Sequence, residues 1–315
     1  MINLVARVCA PDAPFQCPDL ATRFWWKLRV RFPDCLASVI MHNHVHLLLP
    51  GSVDAEWAAH TLRVMTGNSK TLNWEPVPDP QVISDPLHAR RLLRYIVLNP
   101  CRSKLCRDPL EWLWSTYRGY FGAVARPWVS SRQLAQAYGR SPNEQFLAWF
   151  HSYVSSDNTV NPTGTRVLKS VTQSGIQPYQ HLDRIWMAAL AASEATPRTL
   201  SERDAPARRA MVHLAERFGW TQTSMIARKL ECNVRTVQRL RRRPVDPALL
   251  RAALVCLQDD RTCNLVPSLR VPLRDGADAP TASRAPALEV SLNTTERGSA
   301  TPALHDSAAK RDFLQ

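Results

Sequence analysis

Apolar residues recur with two different periods along the first third of the chain, and the period sets the expected element. Ile2 to Cys9 reads as a strand, while Asp19 to Phe32 places Phe24, Trp25, Leu28 and Phe32 on one face of a helix. Cys35 to Met41 and His44 to Leu49 are short apolar runs separated by His42-Asn43, which predicts a hairpin with Asn43 supplying the positive φ of a tight turn. A helix follows from about Asp54 to Met65. The stretch T-L-N-W-E-P-V-P-D-P-Q-V-I then carries prolines that suit only an edge strand or loop. Asp85-Pro86 reads as an N-cap and first helical position, opening a helix to Leu98 that N-P-C-R should stop.

Beyond Trp112, Trp114, Tyr117 and Tyr120 the pattern is helical throughout: Ser131 to Tyr138, Asn143 to Val154, Tyr179 to Ala192, then a compact unit over 201–257. The β signal ends there, so a boundary is expected near 122–130 and the fold class is α+β. The division expected is 1–125 as a mixed domain, 126–200 as a helical extension and linker, 201–260 as a second helical domain, and 261–315 as a tail. That tail is rich in Ala, Pro, Ser, Thr and Arg, with Phe313 its only aromatic residue, a composition expected to be disordered.

Charge changes this picture. Forty Lys and Arg against 27 Asp and Glu leave +13, which points to an anionic partner. No run is long and apolar enough for a membrane span and no basic amphipathic anchor stands out, so nucleic acid is expected rather than a membrane. The first residues lack the features of a secretory signal, so a cytoplasmic protein is expected. The eight cysteines contain no C-x-x-C pair, and reduced, mostly buried thiols are expected.

Candidate chemistry begins with M-H-N-H-V-H-L-L-L-P, Met41 to Pro50. Side chains alternate faces on a strand, so His44 and His46 share one and could chelate a single divalent ion, whereas His42 falls in the turn. A bare His-x-His is more commonly a half-exposed polar pair. Fifty residues on, R-Y-I-V-L-N-P places Tyr95 and Asn99 four apart on one helical face. A tyrosine there commonly packs, yet a phenol beside a neutral oxygen ligand also describes a nucleophile next to a metal.

M-H-N-H-V-H-L-L-L, Y-I-V-L-N-P-C-R-S-K-L and D-P-L-E-W-L-W-S-T-Y-R-G-Y-F-G, in this order, resemble the REP-associated tyrosine transposases, single-tyrosine members of the HUH endonuclease superfamily. The resemblance covers roughly residues 1–122. It implies a ferredoxin-like antiparallel sheet, Mg²⁺ or Mn²⁺ held by His44, His46 and Asn99, and Tyr95 as the nucleophile that forms a 5′-phosphotyrosine on single-stranded or hairpin DNA. Arg90, Arg91 and Arg94 are the cations expected near the phenol and the DNA, with Tyr117 and Tyr120 as fallback nucleophiles should Tyr95 be buried. Trp74 falls where the family carries an aromatic and basic motif, here without the basic residue. The cluster of Trp112, Trp114, Tyr117 and Tyr120 either packs the end of the domain or stacks on bases.

Residues 201–243 hold eleven Arg or Lys and four Asp or Glu. T-S-M-I-A-R-K-L-E-C-N-V-R-T-V-Q-R-L-R-R-R has a helix-turn-helix layout, with Ile226, Ala227, Leu230, Val234, Val237 and Leu240 inward. Arg235, Thr236, Gln238, Arg239 and Arg241 to Arg243, Arg242 among them, are expected outward toward duplex DNA. In the turn, Asn233 is the residue expected to accept a left-handed conformation. With the segment before it, this unit loosely resembles the DNA-binding domain of the bacterial replication initiator. The function expected is a bacterial, nucleoid-associated enzyme that nicks and rejoins DNA, with a monomer compatible with that role. The rivals are a catalytically inactive DNA-binding derivative and a metal-dependent phosphodiesterase using water.

Overall fold

The computed structural model describes residues 1–9, 11–67, 72–157, 160, 181–194 and 205–263. The expected tail over 261–315 lies outside these from residue 264 onward. Among the described residues there are four strands and twelve α-helices, an α+β fold. The first part runs β1 (Ile2–Arg7), α1 (Pro18–Arg31), β2 (Ala37–Ile40), β3 (His44–Leu49), α2 (Ala55–Gly67) and β4 (Gln81–Val82). These strands form one antiparallel sheet in the order β2-β3-β1-β4. The proline-studded stretch ends in β4, which is an edge strand two residues long, as proline exclusion from central strands requires.

Register sorts the side chains by face. Directly opposed residues share a face, so the pairs Ile2↔Leu49, Leu4↔Leu47 and Ala6↔Val45 line one side, all buried. The opposite side carries Asn3, Val5 and Arg7 from β1, Leu48, His46 and His44 from β3, and Val39 from β2. Along β1 these second-face residues are half-buried or exposed while the first-face residues are buried. The second face is therefore open toward β1 and covered elsewhere by α3 (Pro86–Arg102), which packs on β2.

Two local readings are corrected. The β2–β3 turn does not rest on a positive φ at Asn43: the described non-glycine residues with positive φ are Lys104, Glu194 and Glu231. The turn is tied down instead from outside, its carbonyls at Asn43 and His42 accepting from Val8 N at 2.8 Å and Phe15 N at 3.0 Å. Nor does α3 stop at Leu98. Asp85 caps its start as expected, accepting from Leu87 N at 2.9 Å and His88 N at 3.1 Å. The helix then runs through Pro100 to Arg102. A proline in the last turn removes only one donor, from Ile96 O, and the burial of Ile96, Val97, Leu98 and Pro100 outweighs that loss.

The remaining helices are α4 (Tyr117–Tyr120), α5 (Ser131–Ala137), α6 (Glu144–Ser155), α7 (Leu182–Ser193), α8 (Pro206–Arg217), α9 (Thr223–Lys229), α10 (Val234–Arg241), α11 (Pro247–Gln258) and α12 (Asp260–Cys263). α7 packs on α8 and α11, and α10 on α8 and α9. Trp112, Trp114, Tyr117 and Tyr120 are at most 2% exposed and are packing residues. Their polar tips are satisfied inside: Trp112 Nε1 donates to Ile40 O at 2.8 Å, Trp114 Nε1 to Thr22 Oγ1 at 3.1 Å, and Tyr117 Oη pairs with His151 Nδ1 at 2.9 Å. Trp74, half-buried, is stacked on Phe24 at 5.2 Å, its indole nitrogen without a partner among the described residues.

Buried polar links join the helices after residue 180 to the sheet part. Arg118, fully buried, donates to Leu110 O and Thr262 O, and Arg261 pairs with Asp108 at 3.2 Å. Glu194, the left-handed residue closing α7, accepts from Trp25 Nε1 at 3.0 Å and pairs with Arg29 at 3.3 Å. Burial pushes its carboxyl up to about 7, with Arg29 and Trp25 opposing the shift. No described helix is long and apolar enough to cross a membrane.

A carboxyl that binds its proton more tightly when folded lends stability that is complete below its unfolded pKa and is lost as pH rises through the folded value. Between pH 5 and 8 the wild-type chain should therefore lose up to about 3 kcal/mol from this group. Glu194→Gln should remove that loss, so chemical denaturation of the two proteins should differ most at pH 8 and converge near pH 5.

Candidate active site on the open sheet face

Two-residue alternation places His44 and His46 together on the second face of β3, their ring centroids 5.1 Å apart. Val45 between them is fully buried on the other side. His42 lies in the turn beyond the strand, its ring 5.9 Å from Trp112. From α3, Asn99 meets His46, with Nδ2 and Nε2 2.9 Å apart. One turn earlier Tyr95 approaches the same imidazole, ring centroids 5.9 Å apart. The structure thus brings together the four residues selected from the sequence.

With the amides of Asn99 and Asn43 oriented as they are, the hydrogen bonds assign both tautomers. An amide Nδ2 can only donate, so His46 Nε2 accepts and the ring proton sits on Nδ1, a buried atom with no partner among the described residues. His44 Nδ1 lies 2.8 Å from Asn43 Oδ1, which can only accept, so His44 also carries its proton on Nδ1 and a lone pair on Nε2. Asn43, a turn-former by residue type, orients a histidine through its side chain. Burial, with Arg7 adding repulsion, pushes His44 down to about 4, and burial with His44 and Arg7 pushes His46 down to about 3. Both rings are neutral at pH 7.

That donor set fits a divalent cation. Two neutral imidazoles with Nε2 lone pairs, the first oriented by a second residue, are what metal ligation by histidine requires. Asn99 adds an amide whose oxygen becomes the donor when the group turns over. Among the described residues no group of three or more His, Cys, Asp or Glu could hold a metal. The set here is two histidines and an asparagine.

Tyr95 is 42% exposed, so its phenol is accessible from solvent. Tyr117 and Tyr120 are not: both are buried, and burial raises their phenols well above the usual range. The cation beside Tyr95 is one the sequence did not nominate. Arg102 lays its guanidinium 4.7 Å over the Tyr95 ring and donates to Tyr95 O at 3.1 Å. It also pairs with buried Asp157 at 2.6 Å. The i, i+7 spacing of Tyr95 and Arg102 would have revealed it had α3 been carried through Pro100. Arg7, opposite His44 in the register, is the other cation on this face and pairs with Glu75 at 3.9 Å. Of the three expected arginines, Arg94 sits 4.6 Å over Tyr153 and 3.5 Å from Asp157, Arg90 lies 5.4 Å over Tyr138, and Arg91 is exposed.

On α9 and α10, Ile226, Ala227, Leu230, Val237 and Leu240 are buried as expected. Arg235, Gln238, Arg239 and Arg242 are exposed. Three positions differ. Val234 is 41% exposed because it opens α10, and Thr236 is buried under the cap where its N donates to Asn233 Oδ1 at 2.7 Å. Arg241 turns back to pair with Glu216 and Thr223. The left-handed turn residue is Glu231, φ 49°, with Asn233 serving as N-cap instead.

Two stability measurements follow. Glu231→Gly relieves a conformation that costs an L-residue about 1–2 kcal/mol but loosens the unfolded chain by about 0.5–1 kcal/mol, so denaturation should show a net gain below about 1 kcal/mol. Tyr95→Phe should change stability by less than about 0.5 kcal/mol, whereas Tyr117→Phe, which removes the buried hydrogen bond to His151 Nδ1, should cost about 1–3 kcal/mol. Equal costs for the two tyrosines would contradict the assignment of one to solvent and the other to packing. No family model, curated protein or solved structure matches the chain.

Proposed function

We propose that the chain is a metal-dependent single-stranded DNA endonuclease and transposase, which cleaves and rejoins DNA at hairpin sequences through a 5′-phosphotyrosine on Tyr95. The observation carrying this reading is the convergence of His44, His46 and Asn99 beside an exposed tyrosine on an open sheet face. The succession β-α-β-β-α-β, with strand order β2-β3-β1-β4, supports reading the sheet part as a ferredoxin-like unit. Mg²⁺ or Mn²⁺ would be held by His44, His46 and Asn99, and when bound supplies Lewis-acid polarisation of the scissile phosphate.

The chain's own residues do the rest. Tyr95 Oη attacks phosphorus, the P–Oη bond forms as the P–O3′ bond breaks, and the phenolic proton is balanced by protonation of the leaving O3′. Arg102 over the ring, Arg7 and the exposed Arg91 offer positive charge to the phosphates around the reacting bond. Reversal by the 3′-hydroxyl rejoins the strand without a nucleotide cofactor, because the phosphotyrosine retains the energy of the broken bond. The α9–α10 pair is read as a helix-turn-helix, and exposed Arg235, Gln238, Arg239 and Arg242 would hold duplex DNA through phosphates and groove edges.

Incubation with labelled hairpin-bearing single-stranded DNA and Mn²⁺ should yield a covalent protein–DNA adduct on a denaturing gel, lost in Tyr95→Phe. Binding without an adduct would make the chain a DNA-binding protein lacking catalysis, and cleavage surviving Tyr95→Phe would assign the attack to water. In a salt titration of duplex binding, Arg239→Ala should weaken affinity and lower the slope of log K against log salt by about 1. An unchanged slope would remove that arginine from the interface.

A further inference from the structure

The sheet part exposes an apolar surface that the proposed chemistry leaves unused. Of the large apolar side chains exposed among the described residues, Val30 (75%) and Trp26 (39%) lie on α1, and Trp57 (50%) and Val64 (45%) on α2. The backbones of α1 and α2 approach closely at few points, with Phe32 at the end of α1 edge-on to Trp57 at 6.1 Å. A trough of about 1190 Å³ opens between the two helices, its apolar lining supplied by Leu20, Phe24 and Met65 with the more exposed Val30 and Val64. A smaller hollow of about 380 Å³, lined by Leu49, Val53 and Trp57, adjoins it by way of Val30, Arg31 and Thr61. Isolated exposed apolar residues need no explanation, but a contiguous concave patch of this kind marks an interaction site.

The shape and charge of the trough specify the occupant. α2 is 13 residues long, so the trough offers about 20 Å along its walls at 1.5 Å per residue, the length of a helix of three to four turns. Arg23, Lys27 and Arg31, spaced i, i+4 and i+8 on α1, set three cations along the rim, all exposed, and His60 stands on the α2 side. Among the described residues no Asp or Glu lines the trough. Aliphatic Val30 and Val64 suit a packed helix better than they suit stacked bases, and a concave floor fits a helix better than a flat lipid surface. A second copy of the chain is disfavoured by its own charge of +13.

We propose that the α1–α2 trough docks an acidic amphipathic helix from a partner protein, its apolar stripe on the floor and its carboxylates along Arg23, Lys27 and Arg31. This surface is separate from the DNA site and does not depend on the catalytic reading. A partner bound there would leave the open sheet face, with His44, His46 and Tyr95, free for nucleic acid.

The test uses the full chain and a fluorescent synthetic helix of about four turns with a leucine stripe and glutamates on one flank, read by anisotropy. Saturable, salt-sensitive binding is expected, weakened at least about tenfold when lysine replaces the glutamates or in the Lys27→Glu/Arg31→Glu double variant. Val30→Ser should also weaken it, while the affinity for hairpin DNA stays unchanged in all variants. Equal binding of the glutamate, lysine and scrambled peptides would overturn the proposal. So would displacement of the peptide by single-stranded DNA, preferential capture by anionic phosphatidylserine vesicles, or intramolecular crosslinks from Lys27 to Lys310 that persist in the presence of peptide.

Discussion

The alternation of β3 between two environments is the constraint from which the site follows. Val45, Leu47 and Leu49 must face the buried side, where Ala6, Leu4 and Ile2 oppose them across the ladder. A slip of one residue would place His44 and His46 in that apolar core and turn Val45, Leu47 and Leu49 toward Arg7, Asn99 and Tyr95, so packing of the apolar face fixes the register and, with it, the direction of both imidazoles. The same register sets Arg7 beside His44, and desolvation together with that charge keeps both rings neutral. The chemistry of the proposed site is in this sense a consequence of how the opposite face packs.

The second half of the site depends on α3 holding its phase to its last turn. Tyr95, Asn99 and Arg102 share a face because the helix runs through Pro100. Asn99 is buried against His46, Tyr95 remains at the surface, and Arg102 bridges the Tyr95 ring to Asp157 beyond α6. Such a helix would position the proposed nucleophile more firmly than a loop, since its backbone is fixed by burial on the sheet. The later helices add rigidity through buried polar links, Arg118 to Thr262, Arg261 to Asp108 and Trp25 to Glu194, rather than through apolar packing alone.

What was legible in the sequence was what short-range periodicity encodes. The pairing of His44 with His46 is a matter of two-residue alternation, that of Tyr95 with Asn99 is one helical turn, and the edge position of Gln81–Val82 follows from the prolines before it. What escaped was set by contacts distant in sequence or by compensated exceptions to local rules. Arg7 faces His44 only through a ladder between strands distant in sequence. Arg102 was hidden because proline was taken as a stop. Asn43 was taken for a backbone role when its side chain carried the information, and Glu231 accepts the left-handed turn that Asn233 was expected to take. Nothing local marks Glu194 as a buried carboxyl, because its partners Trp25 and Arg29 lie on α1.

The central claim is that His44, His46 and Asn99 form one divalent-cation site beside Tyr95. It is tested most directly by NMR of the chain labelled with ¹⁵N-histidine, titrated with Mn²⁺ at pH 7. The account predicts that both rings begin as neutral tautomers protonated on Nδ1, that substoichiometric Mn²⁺ broadens the His44 and His46 ring signals before those of the other histidines, and that Asn99→Ala weakens this effect. Broadening centred on other histidines, or the absence of any selective broadening, would contradict it.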